Sequence, residues 1–289
     1  MSPLYGYFQE FKLTKNMRTD PAEIEFSDYI LRLGEGREEN IAEINENTVM
    51  IPKEYLVPHM NALIEKVFPK LEEKTDDWTS LVEGTIYTPL NTHMQKVNFI
   101  CISRFPGEKK VYLSSDSIIQ DDQRDAMPEE FLNSLTPSGM PDHELVLKQG
   151  APVMLLRNLQ AGPNCSLRNG TRMIVKRVMD RTIDCEVAVG TCKGARIFLP
   201  RIPMYDRSNE FPFTLVRRQF PIRVAFAVTI NKGQGQENQR VGIYLPEPVF
   251  AHGQLYTAFS RGKRAENVSV LINDNKEGFT DNIVYKELL

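Results

Sequence analysis

Between about residue 145 and residue 200 the sequence breaks into short runs of β-branched and aromatic residues, 151–156, 171–178, 182–189 and 196–199. Asn169-Gly170, Asp180-Arg181 and Lys193-Gly194 separate them. Dipeptides of this kind supply the tight turns of hairpins, so strands at this spacing predict a small antiparallel barrel or sandwich. The flanks read differently. After Asp20-Pro21, the residues Ile24, Phe26, Tyr29, Ile30 and Leu33 recur at helical spacing and stop at Gly34, which predicts a helix over about 21–33. A second periodic run from Tyr55 to Phe68 ends before Pro69 and leads into an acidic loop through Asp77. The stretch 84–88 predicts a buried strand, Pro89-Leu90-Asn91 a turn and cap, and Met94, Val97, Ile100 and Cys101 the inner face of a helix. Strands over 223–230, 241–245 and 268–272, with a helix from Glu247-Pro248 to about Phe259, return the chain to an α/β pattern. A β insertion inside an α/β domain is the economical description.

A chain of 289 residues suits two domains, or one domain with an insertion. No run of about 18 apolar residues occurs, and the first twenty residues are too polar for a signal peptide, so neither a membrane span nor secretion is expected. Four cysteines without a C-x-x-C pair and four scattered histidines predict neither a zinc site nor a disulfide framework, which fits a reducing compartment. Charge is unevenly spread beneath a net value of −3. Residues 1–80 hold 9 basic against 16 acidic side chains, whereas 148–240 hold 16 against 6. Such a basic stretch serves either phosphate-backbone binding or a solvated face.

Two segments carry candidate chemistry. Residues 229–236, Thr-Ile-Asn-Lys-Gly-Gln-Gly-Gln, follow a strand and combine amides, a lysine and two glycines, which suits contact with an anion or base. A polar turn without a ligand is the equal alternative. Tyr256 to Arg261 ends a helix in an arginine, which either complements the helix dipole or reaches a nucleotide γ-phosphate. For Tyr205, Phe211, Phe213 and Phe220 core packing is the default, with base stacking the alternative.

Taken in order, these segments and several others resemble the C-terminal portion of Pif-family (petite integration frequency, superfamily 1B) DNA helicases, especially those of Helitron transposons. The markers are Leu13-Thr-Lys-Asn-Met-Arg18, Tyr29-Ile-Leu-Arg-Leu-Gly-Glu-Gly36, Thr88-Pro-Leu-Asn91 with Val97-Asn98, and Tyr112-Leu-Ser-Ser-Asp-Ser117. They continue through Phe131–Leu135, Leu147–Asn158, Asn169-Gly-Thr-Arg172, the 229–236 loop and Tyr256–Arg261. The resemblance implies a second RecA-like domain, with a parallel sheet of the P-loop NTPase kind, interrupted by a small SH3-like β-barrel. On that reading residues 1–80 are a helical segment carrying the arginine motif, 81–145 and 221–289 the two parts of the RecA-like domain, and 146–220 the barrel.

The same resemblance assigns roles. Arg18 and Arg261 match arginines directed at the γ-phosphate of ATP, Gln234, Gly235 and Gln236 the nucleotide-facing part of the loop, and Thr229, Asn231, Lys232 and Arg172 contacts to single-stranded DNA. Two positions depart from the family pattern: Gly233 and Glu237 stand where relatives usually have Ser and Thr. No G-x-x-x-x-G-K-[ST] motif occurs, nor an apolar strand ending in Asp-Glu to hold magnesium. The expectation is therefore the C-terminal half of a 5′-to-3′ ATP-dependent helicase, inactive alone, whose ATP and Mg2+ require a missing N-terminal RecA-like domain. A stand-alone single-stranded nucleic-acid-binding module and a decayed transposon fragment are the other readings. The expected location is the nucleus, with the mitochondrion as second choice.

Overall fold

The protein was analysed as a computed structural model, which describes residues 7, 9, 18–38, 46–73, 78–119, 127–162, 165–206, 210–272 and 278–288. The marker residues Leu13 to Met17 and the acidic loop at 74–77 lie outside the described residues. At the centre are four parallel strands. Gly84–Thr88 lies between Ala227–Thr229 and Arg240–Leu245, and Val268–Ile272 forms the far edge. All five residues of Gly84–Thr88 and of Val268–Ile272 are buried, because helices cover both faces. On one face Ile24–Gly34 packs on Gln254–Phe259, and the Tyr29, Tyr55 and Phe259 rings meet 5.5–5.7 Å apart. On the other, Met60–Val67 and Asn91–Arg104 bury Leu63, Ile64, Val67, Val97 and Cys101 around Ile86.

The antiparallel part begins earlier than the 146 boundary expected. Lys110–Leu113 pairs with Glu144–Leu147, and Ser115–Ile119 pairs with Thr214–Gln219. Both strands are largely exposed, with only Tyr112 buried, so no continuous buried run marks them in the sequence. A five-stranded sheet runs in the order Arg196–Pro200, Thr182–Val187, Arg172–Val178, Pro152–Leu155, Ile222–Val224. The single strand expected over 223–230 is two strands in two sheets. Ala225 N donates to Pro152 O while Ile86 N donates to Phe226 O, so the chain changes sheet between consecutive residues.

Three helix boundaries also differ. Asp20 Oδ1 accepts from Ala22 N in a turn, and the first helix starts only at Ile24. The second starts at Met60, where His59 Nδ1 accepts from Ala62 N; Lys53–Tyr55 is a separate 3₁₀ turn. The last helix covers only Gln254–Phe259, since Pro246 and Pro248 disrupt the preceding stretch and Gly253, at φ 65°, directly precedes it.

The antiparallel unit is stapled by charge and by sulfur. Arg217 and Asp116, both fully buried, pair at 2.6 Å, and Arg217 donates further to the Leu132, Leu135 and Pro141 carbonyls. Asp184, also fully buried, accepts from Arg177 and Arg196. Cys165 and Cys192 form a disulfide with their Cα atoms 5.7 Å apart, which corrects the expectation of four free thiols; only Cys101 and Cys185 are free. The pairing joins a hairpin to a turn 27 residues away, and no sequence spacing announces it.

Candidate nucleic-acid and nucleotide-facing site

The carboxyl ends of parallel strands are where open α/β sheets bind ligands, because loops and helix N-termini converge there. Thr229 and Thr88 stand in register at that edge, on adjacent strands. Beyond Thr229 the chain makes one 3₁₀ turn, Ile230–Gly233, that buries Ile230 and leaves Asn231 and Lys232 exposed. Thr229 and Lys232 line a cleft whose other walls carry Asn91, Asn169, Ser138 and Arg223. Asn91 opens a 14-residue helix whose positive end adds to Lys232, whereas Arg223 is paired with Asp142 at 3.6 Å and donates to Met140 O, and Met94, Met154 and Leu156 make much of the wall apolar. Asn169 is held by its N–H on Asn158 Oδ1, and Gly170, at φ 95°, lets the turn close. The cleft is thus formed jointly by the parallel sheet and the antiparallel unit.

The second group lies behind the loop. Asp20 N donates to Lys263 O, Asp20 pairs with Arg264, and Ala265 N donates to Glu23 Oε2. These ties bring the exposed Arg18 near Arg261, close enough that burial first, and then repulsion from Arg18, lower the Arg261 pKa. Arg261 itself is buried. Its guanidinium donates to the Gly233, Gln236 and Thr257 carbonyls at 3.0–3.3 Å and 2.9 Å, and to Ser260 Oγ at 2.8 Å. One of five N–H donors remains for a further acceptor. Gln234 and Gly235 are exposed, Gly235 at φ 82°, while the Gln236 Oε1 atom is buried without a hydrogen-bond partner. The loop therefore puts Lys232 on the cleft, Asn231 Oδ1 within 3.4 Å of Gln254 Nε2, and the Gly233 and Gln236 carbonyls on Arg261.

Arg172 does not join either group, which corrects its assignment as a DNA contact. It is 3% exposed, and its guanidinium donates to Val82 O, Gly84 O, Ala225 O and Thr85 Oγ1. Both terminal nitrogens are engaged and Nε is buried without a hydrogen-bond partner, so in this arrangement the guanidinium serves the junction between the two sheets. Burial lowers its pKa to about 10, still well above neutrality, so it remains a cation.

Three residues of this region escaped sequence reasoning. Asn238, 4% exposed, donates from Nδ2 to Thr85 Oγ1 at 2.9 Å and accepts from Tyr87 Oη at 3.2 Å. Its neighbours Glu237 and Gln239 are exposed, so the local sequence reads as a solvated turn. Tyr87 leaves no room for a side chain at Gly233: a Cβ there would lie 2.2 Å from Tyr87 Cε1. Among the described residues no three His, Cys, Asp or Glu side chains converge as metal ligands would, and no helix is long and apolar enough to cross a membrane.

Comparison with known proteins bears on this arrangement. The family profile of the DNA helicase Pif1 2B domain matches residues 130–178. An ATP-dependent DNA helicase PIF1 of Xenopus laevis is 30% identical over 197 residues, which is 67% of this chain and 29% of that protein. PIF1 of Homo sapiens is 28% identical over 191 residues, 65% of this chain and 28% of its own length. Among solved structures, the Pif1 helicase from Candida albicans superposes with a TM-score of 0.58 at 19% identity, covering 89% of this chain and 55% of that one. Bacteroides Pif1 bound to ssDNA gives 0.58 at 20% identity, covering 96% and 53%. The chain thus spans less than a third of these vertebrate relatives and about half of these solved neighbours, whose likeness concerns the fold.

Proposed function

The chain belongs to the Pif family of helicases, and from that premise we propose that it forms the second motor half of a 5′-to-3′ ATP-dependent DNA helicase. On this reading the parallel sheet is the second RecA-like domain and the antiparallel unit its SH3-like insertion. The observation that carries the proposal is the two-sided loop. Thr229 and Lys232 line the cleft, while the Gly233 and Gln236 carbonyls of the same loop hold Arg261, near Arg18.

Lys232 is a compact point charge at an exposed position and suits a phosphate of single-stranded DNA, with the amides of Asn91, Asn169 and Asn231 as neutral donors. On the other side, an ATP γ-phosphate would meet the exposed Arg18 first, and would reach Arg261, 3% exposed, only if the loop carbonyls of Gly233 and Gln236 release it. Arg18 is near enough to Arg261 for their like charges to interact unfavourably, and an anion between them would relieve that repulsion. ATP with Mg2+ supplies the transferable phosphoryl group; the phosphate-cradling lysine and the magnesium carboxylate come from the other half of the motor. The chain alone therefore binds DNA without turning over ATP.

The test is anisotropy of a fluorescent oligo-dT with the 289-residue chain across a salt series. Binding should weaken linearly in log salt, and Lys232→Ala should reduce the slope by about 0.7, the value for one single-strand phosphate. No salt-dependent binding, or an unchanged slope, refutes the reading. Addition of a first-half domain should restore ATP hydrolysis, and Arg261→Ala should abolish it.

A further inference from the structure

Among the described residues the buried Arg172 has no acidic partner: all four of its acceptors are neutral, three of them main-chain carbonyls, and its Nε is buried without an acceptor. A desolvated cation compensated only by dipoles is costly, and a well-packed apolar residue commonly serves stability better. What the charge achieves is a junction. Val82, Gly84 and Thr85 belong to the parallel-sheet side, Arg172 to the antiparallel sheet, and Ala225 to the crossing between them. The four bonds hold the two units at one relative setting.

From that junction a polar chain leads to the loop. Thr85 Oγ1 receives two donors, Arg172 Nη1 at 2.5 Å and Asn238 Nδ2 at 2.9 Å. Its single proton has two acceptors within reach, Gly84 O at 2.7 Å and Asn238 Oδ1 at 3.3 Å, so the hydroxyl has two discrete arrangements. Asn238 in turn donates its main-chain N–H to Arg261 O at 3.2 Å and accepts from Tyr87 Oη. Arg261 then grips Gly233 O and Gln236 O, and the Tyr87 ring lies against Gly233. Every link is a hydrogen bond or a van der Waals contact between groups that are largely buried.

We propose that Arg172, Thr85 and Asn238 form a relay through which the antiparallel unit sets the position of the 230–236 loop and of Arg261, with Arg172 and Asn238 as positioning residues. The relay depends on the functional reading above only for what each end faces. A shift of the antiparallel unit disturbs the Gly84 and Ala225 bonds first, frees Thr85 to redirect its proton, and so alters the hold of Asn238 on the segment carrying Arg261. Such a two-state hydroxyl is the physical element that coupling between distant groups requires.

Hydrogen exchange of the ligand-free 289-residue chain tests this at the Gln236 amide, which bonds Gly233 O at 3.1 Å. Thr85→Val and Asn238→Leu should each speed exchange about tenfold, and their combination by little more than the larger single effect, because the links act in series. Arg172→Met should do the same, with partial rescue in Arg172→Lys. Asp184→Asn, which weakens the antiparallel unit away from the relay, should leave the loop rate unchanged after correction for global stability. Additive effects, or an equal response in Asp184→Asn, overturn the relay. Thr85→Val keeps the shape of the buried side chain and carries the test if Arg172→Met does not fold. Absence of DNA binding by the unmodified chain would defeat the functional reading and leave this exchange result standing.

Discussion

Gly233 sits in a 3₁₀ turn and is absent from the positive-φ glycines, so its backbone tolerates a side chain; what forbids one is the Tyr87 ring. An alanine Cβ would lie 2.2 Å from Cε1 and 2.9 Å from Cδ1. Ordinary carbon contacts are about 3.5 Å, so the ring or the loop must retreat by about 1.3 Å. Tyr87 is fully buried and its hydroxyl is tied to Asn238, which leaves no free direction for the ring to swing. Overpacking of this kind costs about 1–3 kcal/mol, and loss of the hydroxyl bond adds about 1 kcal/mol. Gly233→Ala should therefore destabilise the chain by roughly 2–4 kcal/mol, read as the shift of a urea midpoint at constant m-value. Tyr87→Leu alone should cost about 2–4 kcal/mol through the cavity it leaves. The double variant places the new methyl in that cavity and should be more stable than the sum of the singles by at least about 1 kcal/mol. A Gly233→Ala chain within about 0.5 kcal/mol of the parent, or strict additivity, would refute the steric account of why this position holds glycine.

Other perturbations probe the antiparallel unit. Arg217→Leu strands the buried Asp116 carboxylate and should cost about 3–5 kcal/mol, with part recovered in Arg217→Leu/Asp116→Leu, as denaturant curves would show. The Asp184 carboxyl is held below its ordinary pKa, chiefly by the hydrogen bond from Arg196. Its stabilisation is therefore complete above the unfolded value of about 4 and lost as pH falls through the lower folded value. Urea midpoints between pH 6 and pH 3 should drop more steeply for the parent than for Asp184→Asn. Alkylation of the denatured chain should modify two cysteines without reductant and all four after reduction. Reduction should also lower stability by about 3–4 kcal/mol if closing a 27-residue loop follows the chain-entropy relation; labelling of four thiols without reductant would contradict the Cys165–Cys192 bond.

The elements legible in the sequence are those whose burial is continuous. Strand Val268–Ile272 matches its expected bounds to the residue, and Gly84–Thr88 likewise, because apolar side chains on both faces leave no competing reading. Strands Lys110–Leu113 and Ser115–Ile119 were not legible, since they are short and largely exposed and become strands only when Glu144–Leu147 and Thr214–Gln219 supply partners. In the candidate site the sequence marked Thr229, Asn231 and Lys232, whose exposure follows from the turn itself. Arg172 was misplaced because its basic stretch is largely solvated and nothing local distinguishes the one buried guanidinium.

By itself the sequence determined the order of α/β and antiparallel segments, the uneven charge and the polar turn at 229–236, because periodicity, charge and turn chemistry are properties of neighbouring residues. The tertiary structure alone decided that Arg172 is a clamp, that Asn238 is buried, that Arg18 approaches Arg261 and that Cys165 meets Cys192. A buried polar group takes its role from the acceptors that surround it, and for Arg172 those acceptors come from residues 82–85 and 225, remote segments that meet only when both sheets have formed.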